Sequence, residues 1–119
     1  MSDVYCEKIL TGELKVNVAK ETKRVLAFHH TQPFWEKHIV LIPKKHLESL
    51  TFASAEDSEI VFELLTVAKE ICADLERQLG GCRLSTNIGS YQSSKHLHFY
   101  IHAGRRLRSE DGTPIKTDL

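Results

Sequence analysis

Apolar and polar residues follow one another along this chain in two rhythms, and each change of rhythm marks a change of element. Leu14, Val16 and Val18 alternate with Lys15 and Asn17, the period of two expected of a half-buried strand. Ahead of them, residues 4–12 read as a short helical turn closed by Gly12. The charged residues from Lys20 to Arg24 mark a turn, and Val25-Leu26-Ala27-Phe28 a second strand. His38-Ile39-Val40-Leu41-Ile42 is almost continuously apolar, which predicts a strand covered on both faces; Pro43 ends it. Between these strands His29 to Trp35 holds a proline and no period, and is expected to be a loop. Its aromatic pair, Phe34 and Trp35, suits packing over a core edge or stacking on a ligand.

From Ser54 to Leu79 the period lengthens. Ile60, Leu64, Val67, Ala68, Ile71, Leu75 and Leu79 recur at steps of three and four, which predicts an amphipathic helix. Ser54 with Asp57 resembles a capping box in which Asp replaces Glu or Gln, and Gly80-Gly81 stops the helix. Val61, Leu65 and Cys72 widen the apolar stripe. A broad core contact, or a core on one side and a partner subunit on the other, would each produce it. Cys82 to Asn87 reads as a strand, and Ile88 to Ser94 as a Gly/Ser-rich loop.

That loop leads into Lys95-His96-Leu97-His98-Phe99-Tyr100-Ile101-His102. As a strand, this run places Leu97, Phe99 and Ile101 on one face and His96, His98, Tyr100 and His102 on the other. The apolar face is expected on a core, the ring face on an accessible surface. Beyond it, residues 107–119 are charged and weakly patterned, with Asp111-Gly112 as a turn signal, and read as a partly ordered polar tail.

Composition narrows the setting. A chain of 119 residues is expected to be one domain, here with a core over about residues 5–106. Lys plus Arg equals Asp plus Glu at 16 each, so no global field calls for nucleic acid or an anionic membrane. No apolar run approaches the ~20 residues of a membrane span, and Met1-Ser2-Asp3-Val4 lacks a secretory signal's features. Cys6, Cys72 and Cys82 are an odd number without C-x-x-C spacing, which suits a reducing, cytoplasmic compartment.

Three chemistries fit the histidine run. Alternate imidazoles could bind zinc, but no spacing in the chain completes a ligand set of the usual kind. A strand-held imidazole could attack phosphorus and carry the group as a phosphoramidate, with loop N–H groups and the Ser90, Ser93 and Ser94 hydroxyls as donors to the phosphoryl oxygens. The third possibility is a solvated ring face with no chemistry.

The run His96-Leu97-His98-Phe99-Tyr100-Ile101 resembles the signature of the histidine triad (HIT) superfamily, nearest to its histidine triad nucleotide-binding protein branch. Glu7 to Leu10, Val25 to His29, His38 to His46 and Asn87 to Ser90 resemble that branch in the same order. The resemblance implies an α+β fold. Its parts are an antiparallel sheet of about five strands, one long helix, a short N-terminal helix, and a homodimer. It also implies a hydrolase that cleaves at the α-phosphate of a purine nucleotide conjugate, such as a nucleoside phosphoramidate, through a nucleotidyl-histidine and with no cofactor or metal required. By position His98 would be the nucleophile, with His96 beside it. His38 would flank the triad, and Asn87, Gln92 and Ser93 would lie near the phosphate and leaving group. Cys6, Ile9, Leu14, Phe28 and Thr31 would line the nucleoside pocket.

Two positions depart from the pattern. Tyr100 stands where the third histidine belongs; tyrosine donates a hydrogen bond but ordinarily titrates near 10. Branches with glutamine there act as nucleotidyl transferases, so a non-histidine does not itself imply inactivity. His30 stands where the family has an aspartate that accepts from ribose hydroxyls, and a neutral imidazole offers one acceptor at most. These departures leave a second expectation: a nucleotide-binding or regulatory module with little turnover.

Overall fold

The computed structural model describes residues 8–115. Five antiparallel strands, β1 (Asn17–Glu21), β2 (Val25–His29), β3 (Trp35–Pro43), β4 (Arg83–Thr86) and β5 (Phe99–Arg106), form one sheet in the order β1-β2-β3-β5-β4. A single long helix, α1 (Ser58–Leu79), crosses it. This is the α+β architecture that the sequence implies. The expected N-terminal helix lies largely outside the described residues. Within them, one helical turn closes where the Gly12 N–H meets the Ile9 carbonyl at 3.1 Å, with Gly12 at φ +81°.

The central ladder sorts the two faces. Ile39 pairs with Ile101 and Leu41 with Phe99, while His38 pairs with His102 and Val40 with Tyr100. Onto the first set α1 packs Leu64, Val67, Ala68 and Leu75, with Leu97 and Ala103 completing the core. On the opposite face Ile9, Leu26, Phe28, Val40 and Ile42 form a smaller cluster against which Tyr100 packs. The covered strands are apolar on both sides, as the sequence of β3 requires.

The helix starts as its sequence suggests. The Ser54 N–H donates to Asp57 Oδ2 at 2.9 Å, and Lys45 Nζ reaches Asp57 Oδ1 at 2.9 Å. The Ser54 N–H, then Lys45, hold the Asp57 carboxyl below the usual carboxylate range. A short tight turn at Ala55–Asp57 precedes the α-helix proper. Gly80, at φ +89°, ends it in the left-handed conformation that favours glycine.

Several boundaries depart from the sequence reading, each for a local reason. The first strand begins at Asn17, because the Leu14 N–H bonds the Lys8 carbonyl at 2.7 Å and belongs to the N-terminal turn. An irregularity between Val18 and Lys20 then leaves Val18 half exposed. Trp35, expected in a loop, opens β3. The periodic stripe of α1 overreaches at Leu79, which is half exposed; periodicity gives a direction but not how far the sheet extends beneath it. Residues 107–115, expected as a polar tail, fold back as a small hairpin. Arg108 bridges Pro114, and the Ser109 N–H meets the Thr113 carbonyl at 2.9 Å around Asp111-Gly112.

The last strand begins at Phe99, later than expected. The Leu97 N–H donates to the Leu47 carbonyl at 2.6 Å, so His96 to His98 run along the connection after β3 and join the sheet only afterwards.

Replacing Leu64 with alanine removes a fully buried side chain between helix and sheet. It should lower unfolding free energy by roughly 2–5 kcal/mol, read as a fall in the urea midpoint with an unchanged slope.

Candidate active site

Two imidazoles are locked by backbone carbonyls. His96 Nε2 lies 2.8 Å from the Pro43 oxygen, and His98 Nδ1 lies 2.7 Å from the His96 oxygen. A carbonyl oxygen only accepts, so each of these ring nitrogens carries a proton. In the neutral ring, the lone pair of His98 is therefore on Nε2. The Thr86 hydroxyl donates to the His98 carbonyl at 2.7 Å, fastening this residue to the end of β4. Both histidines are fully buried. The ring face is thus not the accessible surface the alternation suggests, because the backbone holds these side chains inward before the strand begins.

A chain of rings leads away from His98. The Tyr100 ring stands edge-on to it at 5.0 Å, His38 is 5.3 Å from Tyr100, and His30 stacks on His38 at 4.4 Å. His38 Nδ1 accepts the Phe34 N–H at 2.9 Å, and His30 Nδ1 accepts the Gln32 N–H at 3.0 Å. Their neutral forms therefore carry the proton on Nε2. Burial, then the neighbouring His30 and His102, push His38 down to about 4. Burial is also the largest cause lowering His30; Arg108 and His98 reinforce it, and a contact with the Gln32 backbone partly opposes it. Near pH 7 the pair is neutral and offers two N–H donors where a carboxylate would offer acceptors.

The loop before the histidines is braced from within. Gln92 is buried; its Oε1 accepts the Gly89 N–H at 3.2 Å, and its Nε2 donates to the Glu48 carbonyl at 2.7 Å and to Ser94 O at 3.2 Å. This amide shapes the loop. Ser93 is exposed, and Ser94 Oγ is buried without a hydrogen-bond partner. Asn87 is partly buried at the end of β4, one step beyond the Thr86–Phe99 pair.

At the other end the structure gathers Ile9 and Phe28 with Tyr100, while Leu14 lines an adjoining cleft of about 620 Å³ with Ile9, Val16 and Leu26. Thr31 is exposed in the loop after β2. Cys6 lies outside the described residues. Among the described residues no group of three or more His, Cys, Asp or Glu side chains is placed to hold a metal ion. None of the helices there is long and apolar enough to cross a membrane.

Sequence reasoning missed the carbonyl of Pro43, the hydroxyl of Thr86 and the role of Trp35. The first is a backbone atom with no sequence signal. Trp35 stacks on His102 at 3.8 Å, which the alternation of histidines could have flagged only with the β3–β5 register known.

Comparison with known proteins follows the same lines. The HIT domain family model matches residues 11–107. An uncharacterized HIT-like protein of Synechocystis sp. is 38% identical over 106 residues, spanning 87% of this chain and 91% of that protein. The crystal structure of a HIT family hydrolase from Legionella pneumophila superposes with a TM-score of 0.78 at 31% identity, covering 92% of this chain and 98% of that one. A hypothetical histidine triad nucleotide-binding protein from Sulfolobus tokodaii gives 0.75 at 30% identity, covering 85% of this chain and 68% of the other.

The depressed His38 has a consequence for stability. Its folded pKa of about 4 lies below the ordinary 6.5, so between those values the unfolded chain binds the proton that the folded one refuses. Stability should be intact above pH 7 and fall on acidification, by about 2 kcal/mol at pH 5 from this ring. The His38 ring-proton NMR resonance should stay flat down to pH 5 while chemical denaturation midpoints decline.

Proposed function

The chain belongs to the HIT domain family, and on that premise we propose that it hydrolyses nucleotide conjugates at the α-phosphate, with His98 as the nucleophile. The observation that carries this reading is the 2.7 Å contact between His98 Nδ1 and the His96 carbonyl. A proton fixed on Nδ1 leaves Nε2 as the attacking lone pair and orients the ring without a rotamer search. Attack forms a P–N bond to His98 and breaks the bond to the leaving group, which takes up a proton if it is an amine. Water then cleaves the nucleotidyl-histidine, releasing a nucleoside monophosphate. The scheme requires no cofactor.

His96 acts by position. Its carbonyl orients His98, and its own ring is tied to Pro43. Tyr100, edge-on to His98, supplies a hydroxyl donor to a phosphoryl oxygen. The buried Ser94 hydroxyl, which the protein leaves without a partner, is a further donor in the loop, alongside Ser93 and Asn87. Ile9, Leu14, Phe28 and Thr31 would take the purine nucleoside, with His38 and His30 presenting N–H groups toward its sugar end. The hydrolase and nucleotide-binding descriptions of the Legionella and Sulfolobus proteins agree with this assignment.

Tyr100 favours one other reading, a nucleotide-binding module with little turnover. A phenol replaces an imidazole as donor beside the phosphate and shuttles protons poorly at neutral pH. We also read the exposed Phe62 and Leu65 of α1, 74% and 47% accessible, as the face that pairs with a second copy of the chain.

With an adenosine phosphoramidate as substrate, His98→Ala should lower kcat/KM by a factor of roughly 10³ or more, as loss of a covalent nucleophile does. Tyr100→His should raise turnover by up to ~10² if a missing donor and acid limits it. AMP binding by the wild-type chain with no turnover would establish the binding module instead. In light scattering, Phe62→Glu should shift the protein from dimer to monomer, and an unchanged mass would refute the paired helix face.

A further inference from the structure

The ring chain does not end at His38. Three strands carry a row of facing residues, since His38 and Arg83 both pair with His102, and Trp35 pairs with Arg106 beyond an irregularity in the β3–β5 register. Directly paired residues share a face of the sheet, so these side chains lie on the same side as Tyr100. Trp35 stacks on His102 at 3.8 Å and stands 5.7 Å from His38, while the Arg106 guanidinium carbon sits 4.9 Å from the Trp35 ring centre. Arg106 Nε is further held by the Arg108 carbonyl. Trp35, Arg83, His102, Gly104 and Arg106 line a cleft of about 430 Å³.

Neither Arg83 nor Arg106 is in an ion pair with a carboxylate among the described residues. The Glu36 carboxylate packs beside Gly104 at the edge of the cleft, where it accepts the Arg105 backbone N–H at 2.7 Å. Both guanidiniums are close enough to His102 to add to the lowering that burial causes there. Guanidiniums held by stacking and by backbone are prepared to bind oxyanions with little further loss of freedom.

We propose that the cleft between Arg83, His102 and Arg106 is a second subsite that binds an oxyanion, a phosphate or a carboxylate, apart from the phosphate at His98. His102 lies four steps along extended chain from His98, about 13 Å at normal rise. The anion is therefore a distinct group: either the far end of a substrate whose leaving part is charged, or a separate small anion. Trp35 positions Arg106 and His102, while Arg83 closes the open side from β4. The subsite stands whether or not His98 turns over substrate, and only the assignment of its anion to a substrate rests on the hydrolase reading.

Trp35 is the sole tryptophan of the chain, so its fluorescence reports on this cleft. Titration with inorganic pyrophosphate should give a saturable change in the wild-type protein and in His98→Ala. Arg83→Gln, which alters an exposed side chain, should weaken binding about tenfold, and Arg83→Gln/Arg106→Gln should abolish it. No saturable change in the wild type, equal affinity in Arg83→Gln, or loss of binding in His98→Ala would each overturn the proposal. A matched pair of adenosine phosphoramidates, one with a leaving-group carboxylate and one with the neutral amide, then identifies the source. A KM advantage for the charged member that vanishes in Arg83→Gln assigns the anion to substrate. Equal KM values with pyrophosphate binding intact assign it to a separate ion.

Discussion

A ring nitrogen set against a carbonyl oxygen has no choice of proton, and the site of this protein is built on that constraint. Pro43 fixes His96 and the His96 carbonyl fixes His98, so two backbone carbonyls determine the tautomers of two alternate side chains. Proline suits this position in one respect. It ends the strand with no N–H to satisfy, while its carbonyl remains available to the neighbouring ring. The hydrogen bonds described for both imidazoles go to backbone carbonyls. Electrostatic preorganisation here comes from backbone dipoles, whose positions the β3–β5 ladder maintains.

That ladder also divides the molecule by chemistry. One face of the sheet is closed by α1 and carries the main apolar core. The opposite face carries every ring of the site in sequence from His98 through Tyr100, His38 and His30, with Trp35 and His102 alongside. Neutral imidazoles and the guanidiniums of Arg83 and Arg106 make this face rich in donors. A ligand that meets it must bring acceptor atoms of its own.

Much of this was legible in the chain. The alternation of Leu97, Phe99 and Ile101 correctly identified the core-facing side, since apolar burial responds to a period of two wherever the backbone is extended. The same alternation misjudged His96 and His98, because burial of a ring by its own backbone leaves no mark in composition. Trp35 was hidden by the proline before it and by an irregularity in β3 pairing, which lets the indole lie over His102 rather than beside it. The fold of residues 107–115 escaped notice because its support is backbone pairing with Phe34 and Leu107, not side-chain pattern. Family resemblance offers no guide to Arg83 and Arg106.

Gln92 shows how a local brace constrains descent. From Gln92 onward the loop is bolted to Leu47 and Glu48 through a side-chain amide and the Leu97 N–H. A residue gained or lost after Gln92 would drag His96 and His98 out of register with the carbonyls that hold them. The short turn at Gly89–Tyr91 is tied at Gly89 to Gln92 and Lys95, while Tyr91 at its tip is exposed. An added or deleted residue is therefore expected to be tolerated better in that turn than after Gln92.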